Sequence, residues 1–424
     1  MGHFSKDVPI NLDLITQELQ NAKRLRPDGE TSFDSFGLDE MKSVLDTAFV
    51  FRERLSELTR YDIITKAIFQ TARTGDITGR RLTWALNSAE RDHLAKPFQT
   101  FHVYTSLTTK RPHASRTSDV AGTRVSLLSS LPNRVYDVLA AWNTTVLPDK
   151  ERALNEYQPV RIRLSSRTPF DAIDRATATL DYLRGVWNWE INHSILSRSG
   201  AESEPVNAIR PGPFLTVHDR FGRPAAGSHW FENAYVHPKQ FDSLHGRWTG
   251  LTNAERKVRL ALRHIRYADE LRQFLGRYAR ALDYGDPEVA LLKLWSLLEG
   301  LTGDVRGRSD AVVDRCAYVF EDQLYARMIL KHIREQRNYH VHGAGTENYC
   351  DAYVWQLKRF VEALLPIHLG LGKHFASVSD ACSFFDLPTS IEGLEKRMRL
   401  LRLAIRFRSK PNRPSTQPPG GDTG

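Results

Sequence analysis

The stretch Asp286-Pro287-Glu288-Val289-Ala290-Leu291-Leu292-Lys293-Leu294-Trp295-Ser296-Leu297-Leu298-Glu299-Gly300-Leu301 decides how the C-terminal half of the chain is read. A capping aspartate, a proline at the first helical position and an acid in the first turn open a helix cleanly. From Val289 to Leu301 the residues are apolar nearly all the way round, the mark of a helix buried on every side. Thr302-Gly303 closes it. A second sharp start lies at Thr168-Pro169, after which Ile173, Ala176, Leu180, Leu183 and Trp187 fall on one face.

Outward from these two anchors the chain divides by pattern. From residue 251 to about 408 long helical periods dominate. Helices are expected from Asn253 toward Leu282, at 309–320, 322–341, 349–370 and 389–407. Lys410 to Gly424 is rich in Pro, Gly, Ser and Thr and is expected to be disordered. The first 36 residues read as a polar, broken segment with a turn at Pro27-Asp28-Gly29. Residues 37–250 read as a mixed α+β domain of sensor or regulatory type. Residues 38–72 are helical by period, with Met41, Leu45, Phe49 and Leu55 in phase. Phe98–Leu107, Val125–Leu128 and Val160–Leu164 alternate as strands do, and Val135–Trp142 is one short helix. Residues 200–250 look like an irregular connector or a small β segment. The expected class is therefore mainly α, a C-terminal helical bundle preceded by an α+β domain.

Composition narrows the function. With 424 residues the chain is long enough for two or three domains. No apolar run reaches the length of a membrane span, and the N-terminus lacks the apolar core of a secretion signal. Cys316, Cys350 and Cys382 are widely separated and odd in number, which fits a reducing cytoplasm without disulfides or a zinc knuckle. The net charge is +9, and residues 251–424, with 27 Lys+Arg against 21 Asp+Glu, carry six of those nine. Such an excess permits a polyanionic partner without demanding one. No Gly-x4-Gly-Lys-Ser/Thr loop and no Gly-x-Ser-x-Gly elbow occurs, which argues against a nucleotide-driven motor and a serine hydrolase.

Two blocks carry candidate chemistry. Glu299 is an acid in an otherwise apolar helix and calls for a partner. Arg337-Asn338-Tyr339-His340-Val341-His342-Gly343 places a cation, an amide and two histidines at a helix end terminated by glycine. Metal-free RNA cleavage needs a base for the 2′-OH, an acid for the departing 5′-oxygen and a cation for the phosphate. Histidine titrates near neutral pH, and arginine offers a permanently charged fork. The spacing alone is cheap: Arg259 to His264, Arg327 to His332 and Arg334 to His340 resemble it. Residues five apart on a helix also diverge by about 140°. Arg337 and His342 therefore converge only where the helix end unwinds or two chains meet. His340, three residues on, lies nearer to Arg337.

Together the two blocks resemble the Apea-like branch of the HEPN families, whose signature is Arg-polar-x3-His, over residues 254–405 or so. The resemblance implies a compact helical bundle that dimerises, bringing two motifs into one cleft. It also implies metal-independent endoribonuclease activity in toxin–antitoxin or anti-phage systems. Carried over by position, Arg337 and His342 are the catalytic pair, Asn338 is the polar neighbour and Glu299 a supporting acid, with His340 as the substitute histidine. RNA, a second copy of the chain and a phage or antitoxin trigger are the implied partners, with no cofactor, no metal and no membrane. The alternative is an inactive HEPN-like module that only binds RNA or protein. A metal hydrolase using His340-x-His342 lacks nearby carboxylates at ligand spacing. Arg334 and the run Lys396, Arg397, Arg399, Arg402 and Arg406 are candidate RNA phosphate contacts. Leu400, Leu401, Leu403 and Ile405 are expected to pack inward beneath them.

Overall fold

The structure, a computed structural model, describes residues 2–5, 10–25, 27–28, 30–53, 55–73, 75–110, 115–142, 147, 149–193, 195, 205–225, 230–232, 235–238, 247–303, 309–341 and 350–409. The side chains of 35, 36, 309, 339–341 and 350 are not among them. The expected tail from Lys410 to Gly424 lies outside the described residues. The class is mainly α with an α+β N-terminal region. Two compact units form: Met1–Arg259 with Arg272–Lys293, and Leu260–Leu271 with Leu294–Gly424. The division thus runs through helices rather than at residue 250.

The N-terminal unit opens with β1 (His3–Phe4), α1 (Leu12–Ala22), β2 (Lys23–Leu25), β3 (Thr31–Phe33), α2 (Ser35–Ala48), β4 (Phe49–Val50), α3 (Glu57–Arg73) and α4 (Gly79–Ala95). The first 36 residues are therefore not merely a broken polar segment. Asn11 accepts the Leu14 amide to cap α1, whose Ile15 and Leu19 sink into a core with Leu45, Ile64, Ile68 and Leu86. The period read as one helix over 38–72 is two helices, α2 and α3. Between them Phe49 and Val50 leave the helix to pair with Phe4 and His3.

Next come β5 (Gln99–Lys110), β6 (Arg116–Val120), β7 (Thr123–Leu127), α5 (Asn133–Ala140), α6 (Lys150–Asn155), β8 (Tyr157–Ser166), α7 (Pro169–Asn192), β9 (Pro211–Asp219) and β10 (Trp230–Phe231). The strands form one antiparallel sheet in the order β10-β9-β5-β8-β7-β6. Of the two readings for residues 200–250, an irregular connector or a small β segment, the second holds where this region supplies β9, buried in the interior of the sheet. Its run Pro211-Gly212-Pro213 hides the two-residue alternation, and neighbours on both sides supply the hydrogen bonds that hold it. One sheet face, with Val103, Ile162, Val125 and Val217 in a row, is wholly buried, and α7 packs on the sheet. Thr168 accepts the Asp171 amide and Pro169 sits in the first turn of α7, as its sequence demands.

Helices α8 (Trp248–Leu262), α9 (Ala268–Leu282) and α10 (Pro287–Leu301) follow, then α11 (Ser309–Ala317), α12 (Gln323–Val341), α13 (Cys350–Leu371), a short 3-10 turn, α14 (Val378–Phe385) and α15 (Ile391–Arg408). The single helix expected from Asn253 toward Leu282 is broken. Three tight turns at Arg263, His264 and Ile265 end α8, and Asp269 and Glu270 charge the first turn of a new helix. Buried Ile265 and Tyr267 hold the break in place. Asp286 caps α10 by accepting the Glu288 amide at 2.9 Å, and Ala290, Leu291, Leu294, Leu297, Leu298 and Leu301 are buried along it.

In the C-terminal unit, Arg315 grips Asp386 with two bonds of 2.8 Å and donates to the Thr302 carbonyl, fixing α11 to the ends of α10 and α14. His368 on α13 is fully buried. Its Nε2 donates to the Leu301 carbonyl at 2.9 Å, which leaves Nδ1 to accept the Tyr267 hydroxyl at 3.2 Å. Burial pushes its pKa down to about 4, against the opposing pull of the Leu301 carbonyl. The folded state therefore favours neutral imidazole. Stability is full above the ordinary histidine range and falls as pH drops from about 6.5 toward 4, a loss of about 3 kcal/mol. Urea titrations between these pH values should show that loss, and His368→Gln should flatten it. An equal slope in both proteins would place the titration elsewhere.

The inward packing expected for α15 is not found. None of its residues is buried, and Leu400, Leu401, Leu403 and Ile405 are 59%, 56%, 64% and 64% exposed. The reason lies in their phase. At 100° per residue Leu401 and Ile405 form one stripe and Leu400 and Leu403 another. Arg397 and Arg408 separate the stripes on one side, Arg399, Arg402 and Arg406 on the other. No single apolar face exists to be buried.

Candidate functional site

The candidate site begins with α12, whose arginines recur on neighbouring turns. Arg327 pairs with Asp314 at 2.7 Å, and Arg334, two turns later, pairs with Asp310 at 2.6 Å, so both reach across to α11. The Arg334 guanidinium holds the Asp310 carboxyl below its usual range. Arg337 follows one turn on and meets no acid among the described residues. Its Nη1 donates to Asn338 Oδ1 at 3.1 Å, while the buried Nε of this half-buried residue has no hydrogen-bond partner among the described residues.

These contacts separate patterns that the residue order could not. Arg327 and Arg334 also precede histidines at similar spacing, but each is neutralised by an aspartate. His332 is taken by the Tyr353 hydroxyl at 3.1 Å. Arg334, expected as a phosphate contact, therefore carries an aspartate beside its charge. Arg337 is the arginine of the three whose charge has no acidic partner among the described residues.

Glu299 sits on α10 half-buried, and its Oε1 accepts the Trp295 indole N–H one turn earlier at 2.8 Å. Among the described residues no hydrogen bond or ion pair joins it to Arg337. The partner that its apolar helix called for is thus a local one. Asn338 is exposed. The side chain of His340, and His342 with Gly343, lie outside the described residues. Lys396, Arg397, Arg399, Arg402 and Arg406 are all exposed on α15, and Arg397 donates to the Asp386 carbonyl at 3.4 Å. No group of three or more His, Cys, Asp or Glu suited to a metal occurs among the described residues. Cys316 and Cys382 are buried thiols outside any disulfide, and Cys382 Sγ donates to the Leu301 carbonyl at 3.9 Å. Among the described residues no helix is long and apolar enough to cross a membrane.

A second cluster was not legible in the sequence, because its members lie as much as 115 residues apart. Asp171, in the first turn of α7, accepts from the hydroxyls of Thr59, of Thr168 at 2.9 Å and of Ser56 at 3.3 Å. His93 Nε2 from α4 stands 3.3 Å from its other side. A cavity of ≈ 290 Å³ borders this group, lined also by Glu53, Phe98 and Arg167. The parts suggest a serine, a histidine and an acid, but the order is wrong for nucleophilic catalysis. Ser56 donates to the aspartate rather than to the histidine, so no base faces its hydroxyl.

The cluster instead staples α3, α4 and α7. Burial alone would raise the Asp171 pKa, but the adjacent His93 imidazole and the hydroxyl bonds from Thr59 and Thr168 outweigh it and hold the carboxyl down at about 2. The resulting stabilisation is present above the ordinary aspartate range and is lost as pH falls toward 2. Asp171→Asn should cost about 1–2 kcal/mol at neutral pH, allowing for screening at a residue 13% exposed, and the cost should vanish in acid. A penalty independent of pH would mean that geometry, not charge, carries it.

Comparison of the chain with protein-family models, with curated proteins and with solved structures found no match.

Proposed function

We propose that the protein is a metal-independent endoribonuclease of HEPN type, acting as a toxin or anti-phage effector. The observation that carries this reading is Arg337. On a helix whose two preceding arginines are neutralised by aspartates, it has no acidic partner among the described residues and stands beside Asn338, in the sequence motif that continues to His340 and His342. A guanidinium held this way suits a phosphate whose charge grows in the transition state.

In this reading His342 takes the proton of the 2′-OH as its oxygen attacks phosphorus. The bond to the 5′-oxygen breaks, and a histidine returns a proton to that leaving oxygen. The products are a 2′,3′-cyclic phosphate and a free 5′-hydroxyl, with no metal or water consumed in the step. Arg337 binds the non-bridging oxygens and Asn338 adds a hydrogen bond. Glu299 keeps only a supporting role through Trp295. The two histidines of the acid–base pair come from two copies of the chain, as the resemblance implies. The exposed cations of α15, Lys396, Arg397, Arg399, Arg402 and Arg406, add salt-dependent phosphate contacts.

The test is incubation of the purified protein with mixed RNA in excess chelator, beside Arg337→Ala and His342→Ala. Cleavage that survives the chelator and disappears in both variants is expected. Retained RNA binding without cleavage under any condition would leave the inactive binding module. Activity that returns only with added divalent metal would overturn the mechanism.

A further inference from the structure

The antiparallel sheet leaves part of one face uncovered, and that part is crowded with cations. Its other face is buried beside α7. On the second face α5 and α6 cover one end, where Tyr104, Phe214 and Tyr157 join a core with Leu131, Val135, Leu139 and Trp142. Beyond that end the register sets Arg124, Arg163, His102 and His218 directly opposite one another across β7, β8, β5 and β9. The neighbouring row, where the covered end begins, holds the buried Ser126, Tyr104 and Thr216 with the half-buried Arg161.

Directly opposed side chains on adjacent strands stand about 5 Å apart, and like charges there destabilise a sheet. Arg124 against Arg163 is such a pair, and both are exposed. Asp119 answers Arg124 at 3.0 Å, an exposed and therefore weak bond. Arg163 meets no acid among the described residues. The turn after β9 adds more. Phe221 is 60% exposed, with the guanidinium groups of Arg220 and Arg223 at 4.5 Å and 5.9 Å from its ring. Arg134 of α5 donates to the Phe221 carbonyl at 3.4 Å. The nearby Asp219 is spent on its own turn, accepting the amides of Phe221 and Arg223 at 2.8 Å and 2.9 Å. The half-buried His102 has its pKa lowered by burial and by Arg161 and Arg163, which fits a positive field over the face.

We propose that this open end of the sheet, with Arg124, Arg161, Arg163, Arg220, Arg223 and Phe221, is a docking surface for single-stranded nucleic acid. An opposed arginine pair answered by one exposed aspartate, with further arginines on the adjoining turn, calls for an anion with several charges at strand-like spacing. A phosphodiester backbone supplies it. A flat sheet with an exposed ring flanked by guanidinium planes offers a stacking platform for unpaired bases. One exposed aromatic among arginines is too little apolar area to seat a protein core or enter a bilayer. That the strand is RNA rather than DNA rests on the function proposed above; the docking itself does not.

The experiment uses the full chain carrying Arg337→Ala, so that cleavage plays no part. Fluorescence anisotropy is followed with a labelled oligouridine of about 20 nucleotides, beside the matching DNA strand, duplex RNA and phosphatidylserine vesicles. Arg124→Gln/Arg163→Gln/Arg220→Gln should weaken single-strand binding at least about tenfold and reduce the slope of log affinity against log salt by about 2. Phe221→Ala should weaken it at least about fivefold with the slope unchanged. The triple lysine variant at the same positions should retain binding and thermal stability, which controls for folding. Equal binding of DNA would keep the surface and remove only the preference for RNA. The surface itself is overturned if the triple glutamine variant binds like its parent, if duplex RNA or vesicles are preferred, or if only the α15 variant Lys396→Gln/Arg397→Gln/Arg399→Gln loses binding.

Discussion

If the proposed endoribonuclease function holds, Arg337→Ala should lower the rate of RNA cleavage by about a hundredfold to a thousandfold, the usual loss when one donor to developing charge is removed. The protein should stay folded. Alanine favours helix, and Arg337 makes no ion pair among the described residues whose loss would strand a buried acid. Arg334→Ala is the matched control three residues earlier on the same helix. It removes the pair with Asp310, whose side chain is 81% exposed, so the structural cost is small and cleavage should continue. Gel analysis of RNA fragments, with the ends tested for 2′,3′-cyclic phosphate, reads both outcomes. If Arg334→Ala silences cleavage while Arg337→Ala does not, the charged helix end acts through another arginine and the assignment fails. His342→Ala and His340→Ala, run together, decide which histidine the site uses.

The largest expected effect on stability comes from Asp283→Ala, at about 3–5 kcal/mol. Arg184 on α7 and Asp283 just after α9 are both fully buried; the guanidinium donates to Asp283 Oδ1 at 2.9 Å, and its Nη2 stands 2.9 Å from Oδ2 as an ion pair. Arg184 also reaches Asp181 at 2.6 Å, but Asp181 is shared with Arg280, which pairs in turn with Glu232 at 2.7 Å. Asn207 donates to Asp283 at 2.8 Å and to the Ala279 carbonyl at 2.6 Å. Removing Asp283 leaves the fully buried Arg184 with Asp181 alone, an aspartate it already shares with the half-buried Arg280. The penalty is that of an orphaned ion rather than of one missing bond. A calorimetric transition lowered by about 6–15 °C is expected. Replacing both partners, Arg184→Leu/Asp283→Leu, should recover much of the loss, since a buried pair is often matched by apolar residues. A single variant within about 1 kcal/mol of the parent would mean that the site admits water.

The opening helix of the C-terminal half was legible because its signals are local. Asp286, Pro287 and Glu288 act within one turn, and an all-apolar surface has a single solution, burial. The same holds for Thr168-Pro169 and for the alternation that became β5, β7 and β8. Where the reading went astray, distant partners intervened. Around β9 the reading left a connector and a small β segment open, because that strand is bound on both sides by residues remote in sequence. The break between α8 and α9 is held by buried Ile265 and Tyr267, and α15 stays exposed because its apolar residues fall on two stripes.

The sequence by itself determined the class, the caps of α7 and α10, and the identity of the motif residues Arg337, Asn338, His340 and His342. It could not rank Arg337 above Arg327 and Arg334, since all three precede a histidine at similar spacing. Only the packing of α12 on α11 does so, by spending two of the three on aspartates. Nor could it show that Arg124, Arg161 and Arg163 share one face. Strand register joins residues that are far apart along the chain, and charge accumulates on a surface only once the sheet exists. Local order is written in neighbouring residues, whereas the balance of charge at a site depends on which distant groups the fold brings within reach.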